Sequence, residues 1–150
     1  MLLTAHPARA QVYGSAAHTV TVQVSVITAV QVAGGSVSLN ISNANVVAGQ
    51  DQMTAVDQST SLLWGTNSSA RKISVATNLA APKFTLQLFA LNPTQGTAAA
   101  QVTLSTIAHD LVLNIGRSTG SCTLQYTGTA LASQGTGNDT HVITFTVAAQ

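Results

Sequence analysis

The sequence contains very few charged residues. Its 150 residues include four aspartates, no glutamate, three arginines and two lysines, so only 6% are charged and the formal net charge is +1. A typical soluble domain is about 25% charged. Such a chain has few groups for acid–base chemistry and no basic field to attract nucleic acid or anionic lipid. We therefore expect a non-enzymatic protein that does not bind nucleic acid.

Cysteine and aromatic residues are also scarce. Cys122 is the single cysteine, which rules out an intramolecular disulfide. It lies in phase with Leu124 and Tyr126, and this spacing predicts a buried cysteine that acts as a small hydrophobic residue. Trp64, the single tryptophan, follows two leucines and is predicted to lie in the core. A sugar-binding module would instead need Trp64 exposed in a groove.

No apolar run approaches the roughly 20 residues that cross a bilayer as a helix, so we expect no membrane insertion. Near the N-terminus, Ala8-Arg9-Ala10 has the small-x-small form of a secretory cleavage site, although the apolar stretch before it is short. We predict that residues 1–10 are the remnant of a signal peptide and that residues 11–150 form a single domain of an exported, extracellular or cell-surface protein. The alternative is a disordered N-terminus.

Alternating apolar and small polar residues are the strongest pattern present. Residues 18–26 and 140–147 both show the period of a strand with one buried face. The valines at even positions from 20 to 32 predict a strand that bends near residues 27–29. Gly34-Gly35 predicts a tight hairpin that places Val32 opposite Val37 and Val30 opposite Leu39.

The rest of the chain reads as further short strands separated by turns. Strands are predicted at residues 72–77, 84–90, 101–104 and 123–127, whereas residues 43–60 are polar and irregular. Residues 107–115 have helical spacing between a Thr106 N-cap and a Gly116 C-cap, with a strand at 111–115 as the competing interpretation. The expected fold is all-β: an antiparallel β-sandwich of immunoglobulin-like or Greek-key type, with about eight strands and at most one short helix.

One motif resembles a catalytic signature. Residues 116–120 match the G-x-S-x-G pattern of a nucleophile elbow, and Asp139 and His141 follow Ser118 in the order of a hydrolase triad. The elbow requires a strand that turns into a helix, whereas here a strand follows the motif. A hydrolase would need His141 within hydrogen-bonding reach of Ser118. We rank this function last.

Two groups of residues have the chemistry of metal ligands. His18, Asp139 and His141 would meet only if the two terminal strands ran parallel, and three ligands in fixed geometry are the minimum for a zinc site. The loop residues Asp51, Asp57, Asn43 and Asn45 could offer oxygens to calcium, but their spacing fits no EF-hand. Ordinary strand-end and turn roles are favoured for both groups. We therefore predict no catalytic, cofactor-binding or metal-binding residues and no cofactor.

Four features of the sequence are typical of one class of proteins. They are the Ala8-Arg9-Ala10 junction, the Val/Thr-rich segment 18–26, the closing segment 141–147 and the scarcity of charge. Over residues 18–147 the chain resembles exported bacterial surface subunits of the pilin and spore-coat type. The resemblance implies a segment such as residues 19–26 that completes the sheet of a neighbouring subunit. The lone cysteine and the lack of a penultimate tyrosine depart from chaperone-assembled pilins, which leaves self-assembly or a secreted module as alternatives.

The function expected from the sequence is that of a structural or adhesive surface module, able to form fibres by strand addition. Its partners would be copies of itself or other surface proteins, contacted through edge strands that lack the Lys and Pro of protected edges. The competing function is a module that binds carbohydrate or another ligand.

Overall fold

The computed structural model describes residues 14–150, so the predicted signal-peptide remnant at residues 1–10 lies outside the described part of the chain. Nine β-strands are present in the described residues: β1 (Thr28–Ala33), β2 (Gln52–Thr66), β3 (Arg71–Thr77), β4 (Thr85–Leu91), β5 (Thr97–Ala98), β6 (Val102–Thr103), β7 (His109–Ile115), β8 (Ser118–Leu131) and β9 (Ile143–Ala149). Short 3₁₀ turns occupy Asn43–Asn45 and Ala132–Gln134. Across residues 14–150 no helix has the length and apolar character needed to cross a bilayer.

The strands form two antiparallel sheets. The larger sheet has the order β1-β2-β8-β4-β6 and the smaller one has the order β5-β7-β3-β9. The long strands β2 and β8 pair along most of their length, with one register shift between Asp57 and Thr60. The prediction of an all-β antiparallel sandwich is therefore confirmed.

The core lies between the two sheets and follows the alternation of the strands. In β8, every second residue from Cys122 to Ala130 is buried, which is the period-2 pattern of a sheet with one covered face. The smaller sheet contributes Ile73 and Val75 from β3. The interior is therefore aliphatic, and the largest fully buried side chains are Leu62, Ile73, Val75, Leu88, Leu111, Val112, Ile115 and Leu124.

The predicted hairpin around Gly34-Gly35 is wrong. Strand β1 pairs with β2, so that Val32 lies opposite Leu62 and Val30 lies opposite Trp64. Gly34 has φ +111°, and a Cβ there would lie 2.8 Å from Thr60 Cγ2, so the chain turns away from the sheet at this glycine. Because residues 35–42 form no strand, Val37 and Leu39 reach the core from an irregular segment.

Two other local predictions are wrong. Residues 52–60 belong to the long strand β2 rather than to an irregular loop. Residues 109–115 form strand β7 rather than a helix, as the competing interpretation held. Register shifts in the β3–β7 pair leave both Leu111 and Val112 buried, and two consecutive apolar residues imitate helical spacing in the sequence.

Candidate functional site

The most unusual surface of the molecule is the segment just before β1. Residues 19–27, here called the arm, belong to no strand or helix of the described chain. The side chains of Val20, Val22, Val24 and Val26 are between 69% and 84% exposed. The expectation that these valines face inward is therefore wrong. Four aliphatic side chains on one alternating segment form an apolar stripe of the kind that marks interaction sites.

The base of the arm is fixed to the sandwich by Asn67, in the turn between β2 and β3. Ile27 N donates to Asn67 Oδ1 at 2.8 Å, and Asn67 N donates to Ile27 O at 3.2 Å. Asn67 Nδ2 donates to Ser25 O at 2.8 Å. These three bonds prolong the line of β1 by two or three residues, so the arm leaves the sandwich as a continuation of β1.

In the described part of the chain the arm has no strand partner, because the β1–β2 ladder ends before it. The last residue of β2, Thr66, lies opposite Thr28, and the chain then turns into β3. Residues 19–26 precede that pair and so extend past the end of β2. The alternation in the sequence is that of a strand, but no partner strand exists for it among the described residues.

A second feature lies where the two sheets meet. β1 is an edge of the larger sheet and β9 is an edge of the smaller one, and Cα atoms of the two strands approach within 8 Å. Between them lies a shallow groove of about 250 Å³, here called the seam. No lining residue is charged; the six are Val30, Gln31, Val32, Ile143, Thr144 and Phe145.

Strand β9 presents unpaired backbone groups along the seam. Asn78 N donates to Val142 O, and Gln150 N donates to Ala70 O, so the even-numbered residues direct their backbone groups toward β3. The groups of Ile143, Phe145 and Val147 therefore point to the opposite side. Among the described residues, only β3 is hydrogen-bonded to β9 within the smaller sheet. In this part of the chain, that side of β9 is consequently a free edge.

Ser118 and His141, which the disfavoured hydrolase interpretation would require in contact, are far apart. Ser118 lies opposite Thr66 at one end of the sandwich, and its hydroxyl donates to Gly116 O at 3.2 Å. His141 Nδ1 lies 3.0 Å from Thr77 Oγ1, at the far end of β3. The length of β3 separates these ends by about 20 Å. Ser118 and His141 therefore cannot act as a nucleophile–base pair.

Gly120, the last residue of the same motif, has a packing role. It lies opposite Trp64 in the β2–β8 ladder, and a Cβ built on it would be 2.5 Å from Trp64 Cε2. The indole ring thus rests directly on the backbone of Gly120. Trp64 is only 5% exposed, so it offers no platform for a sugar ring.

Three residues considered as metal ligands, all of them aspartates, serve turns and loop contacts. Asp139 Oδ2 accepts a bond from Phe84 N at 2.8 Å, and Asp51 accepts from the backbone and hydroxyl of Ser133. Asp57 Oδ1 accepts from the backbone and hydroxyl of Ser59. Within residues 14–150, no three His, Cys or Asp side chains lie close enough together to hold a metal ion.

Sequence reasoning did not identify the contact between Ser105 and His109. Ser105 Oγ lies 3.2 Å from His109 Nε2, and the same hydroxyl bonds both the N–H and the C=O of Ile107. His109 is exposed and Ser105 is half-buried. The hydroxyl closes a surface turn.

Two buried ionisable groups have raised pKa values. Burial raises the pKa of the Cys122 thiol to about 11, against a small opposing effect of a backbone hydrogen bond with Leu62. Burial, with a smaller contribution from the Asp57 carboxylate, raises the pKa of the Tyr126 phenol to about 12. Both groups are neutral at physiological pH, so Cys122 is an unreactive core residue.

The geometry defines an antiparallel β-sandwich with an unpaired apolar arm at one end and an open seam along one side. Comparison with protein-family models, with curated proteins and with solved structures gave no match to this chain.

Proposed function

We propose that the protein is a non-enzymatic structural or adhesive module of the cell surface that assembles with other chains by strand addition. The observation that supports this proposal is the arm, whose four valines are exposed and whose backbone has no strand partner within residues 14–150. An alternating segment without a strand partner gains backbone hydrogen bonds and buries its apolar stripe when it pairs with the edge of another sheet.

The energetics favour such pairing. Burying a valine side chain stabilises a complex by about 1.5 kcal/mol or more. Four of them offset a large part of the cost of association, which is on the order of 4–15 kcal/mol. The arm carries no charge and no proline, so pairing desolvates no ion and interrupts no ladder of hydrogen bonds.

Export is supported by composition. The polar residues are mainly Ser, Thr, Asn and Gln rather than Lys and Glu. In addition, Ala8-Arg9-Ala10 has the form of a signal-peptide cleavage site. Mass spectrometry of the mature N-terminus tests the export step. The competing carbohydrate-binding function has less support, because Trp64 is buried under Gly120 rather than exposed in a groove.

The decisive test is the double substitution Val22→Asp/Val24→Asp in the full chain. Wild-type protein is expected to form assemblies as its concentration rises from micromolar to millimolar, visible by light scattering after size-exclusion chromatography and by negative-stain imaging. The double variant is expected to stay monomeric with an unchanged circular dichroism spectrum, because the valines contribute nothing to the core of the monomer.

The matched control is Ile107→Asp, which places the same charge on another exposed aliphatic residue. Ile107 is 71% exposed at a surface turn outside the arm and the seam. This variant is expected to assemble as the wild type does. A wild-type chain that remains strictly monomeric at millimolar concentration would overturn the proposal.

A further inference from the structure

We infer that the acceptor of the arm is the seam of a second copy of this chain, where the arm pairs with the free edge of β9. The inference rests on the proposed assembly function and names its partner surface. It follows from the free edges of the fold, the direction of the arm and the match between the two surfaces.

The free edges differ greatly in length. Four strands border the two described sheets, and β5 and β6 have only two residues each, too few to template an added strand. β1 has six residues and β9 has seven. Neither of these two edges carries the lysine or proline that natural proteins use to protect a long edge. β9 is therefore the longest unprotected edge.

The arm matches this edge in length and chemistry. Residues 19–26 span about 26 Å when extended, and the seven residues of β9 span about 23 Å. The side chains of Ile143, Phe145 and Val147 lie on the inner face of β9 and are partly buried against the core. An added strand would set the valines of its alternating face beside these side chains, over the apolar seam.

The same arm cannot reach the seam of its own molecule. Asn67 holds Ser25 and Ile27 in line with β1, so the arm points away from the end of β1 that carries Val30 and Val32. Reaching its own seam would require a reversal of the chain at residues 26–28, which would break these hydrogen bonds. An arm that occupies this seam must therefore come from another molecule.

Because the arm and the seam are different surfaces, each copy can donate and accept at the same time. A contact between two different patches of identical chains can repeat along a chain of subunits. Neither the arm nor the seam carries a charged side chain, and Arg117, which lines a groove with Val24 and Val26, would meet no like charge in the seam of a second copy. Because each chain carries both the apolar arm and the apolar seam, copies of this chain can assemble without another partner.

Mixing two variants that are each defective in one half tests this inference. The donor-defective chain is Val22→Asp/Val24→Asp. The acceptor-defective chain is Val32→Lys/Thr144→Lys, which places two lysines in the seam at exposed positions. Each variant alone is expected to elute as a monomer. An equimolar mixture is expected to give a species of twice the monomer mass, because one intact arm then meets one intact seam.

The matched control for the acceptor variant is Thr54→Lys/Val56→Lys, which makes the same two exchanges at exposed positions of β2 away from the seam. It is expected to assemble as the wild type does. Circular dichroism and thermal unfolding check that each variant is folded. If Val32→Lys/Thr144→Lys does not fold, Gln31→Lys/Thr146→Lys replaces it, since both of those side chains are exposed.

The outcomes separate this inference from the function on which it rests. Normal assembly of the acceptor-defective chain would overturn the inference that the seam is the acceptor. The proposed function, assembly by strand addition, would remain, with the acceptor surface elsewhere. Two monomeric variants that stay monomeric when mixed would also overturn the seam. A monomeric wild type would overturn the proposed function, and the seam with it.

Discussion

At the scale of single residues, the contact between Gly120 and Trp64 shows how a motif can mislead. The spacing of Gly116, Ser118 and Gly120 matches a nucleophile elbow, but the second glycine is needed because the indole of Trp64 occupies the space of a side chain. A glycine next to a large aromatic residue on a neighbouring strand is a packing device. Reading it as chemistry requires structural context that this fold does not provide.

Gly120→Ala is expected to lower the free energy of unfolding by about 1–3 kcal/mol, because the new methyl group would overlap the indole ring and force it to shift. Urea unfolding followed by the fluorescence of Trp64, the single tryptophan, measures both the stability and the displacement. Gly116→Ala is the control. No atom lies within 4 Å of its Cβ position, so a change within about 0.5 kcal/mol is expected. Equal effects of the two substitutions would contradict this account.

Cys122 predicts a loss of stability at alkaline pH. The folded thiol stays protonated up to a pKa of about 11, whereas the unfolded thiol ionises near its ordinary pKa of 9.0. The folded state therefore binds more protons between these values, and its stability is complete below pH 9 and falls as the pH rises toward 11. The loss is roughly 2 kcal/mol.

Urea unfolding at several pH values between 7 and 11 measures this loss, with Cys122→Ala as the comparison. The variant should show no decline between pH 9 and 10. It should retain the decline above pH 10 that the phenol of Tyr126, with its pKa raised to about 12, causes in both proteins. Identical slopes for the two proteins between pH 9 and 10 would exclude the thiol as the cause.

At the scale of elements, the arm and β1 are one alternating segment of which only the second part has a partner. Asn67 marks the boundary, since it bonds Ser25 and Ile27 beyond the end of the regular ladder. Asn67→Ala removes the two side-chain bonds. We expect faster hydrogen exchange at the Ile27 amide and a decrease in global stability of at most about 1 kcal/mol.

Amide exchange measured by nuclear magnetic resonance tests this expectation, and Asn40→Ala is the matched control because Asn40 is an exposed asparagine outside the arm. Protection of Ile27 should be unchanged in the control. Unchanged protection in Asn67→Ala would mean that the side chain does not hold the arm.

The sequence predicted the strands whose alternation is complete and whose partner lies in the same chain. β3, β4 and β9 were predicted within one or two residues of their bounds, apart from the first residues of the closing segment. The N-terminal valines have the same alternation, yet they are exposed. Periodicity reports which face a strand would bury, and it carries no information on whether a partner is within reach.

The failures at β2 and β7 have a different cause. β2 contains a register shift at residues 57–60, where Asp57 closes a turn with Ser59, and its polar composition resembles that of a loop. In β7, register shifts in its pairing with β3 place adjacent apolar residues inward. Bulges disrupt the period on which strand prediction depends, so these elements could be recognised only from their pairing.

At the scale of the whole molecule, the sandwich could be predicted from composition and alternation, and the placement of its open edges could not. Sheet order brings β1 and β9, which are more than a hundred residues apart in sequence, to the same side of the fold. No local sequence pattern predicts that β1 and β9 lie next to each other. The seam, and with it the acceptor surface inferred for the arm, therefore emerged only from the three-dimensional arrangement.

The lack of charge on both the arm and the seam has a consequence for the conditions in which an assembly would survive. Ionic strength acts on association by screening charges, and the arm and the seam carry none themselves, with Arg117 beside Val24 and Val26 as a nearby charge. The hydrophobic effect, together with the backbone hydrogen bonds of strand pairing, would drive this association, and salts that strengthen the hydrophobic effect would tighten it. We therefore expect a filament joined in this way to persist at both low and high salt concentration.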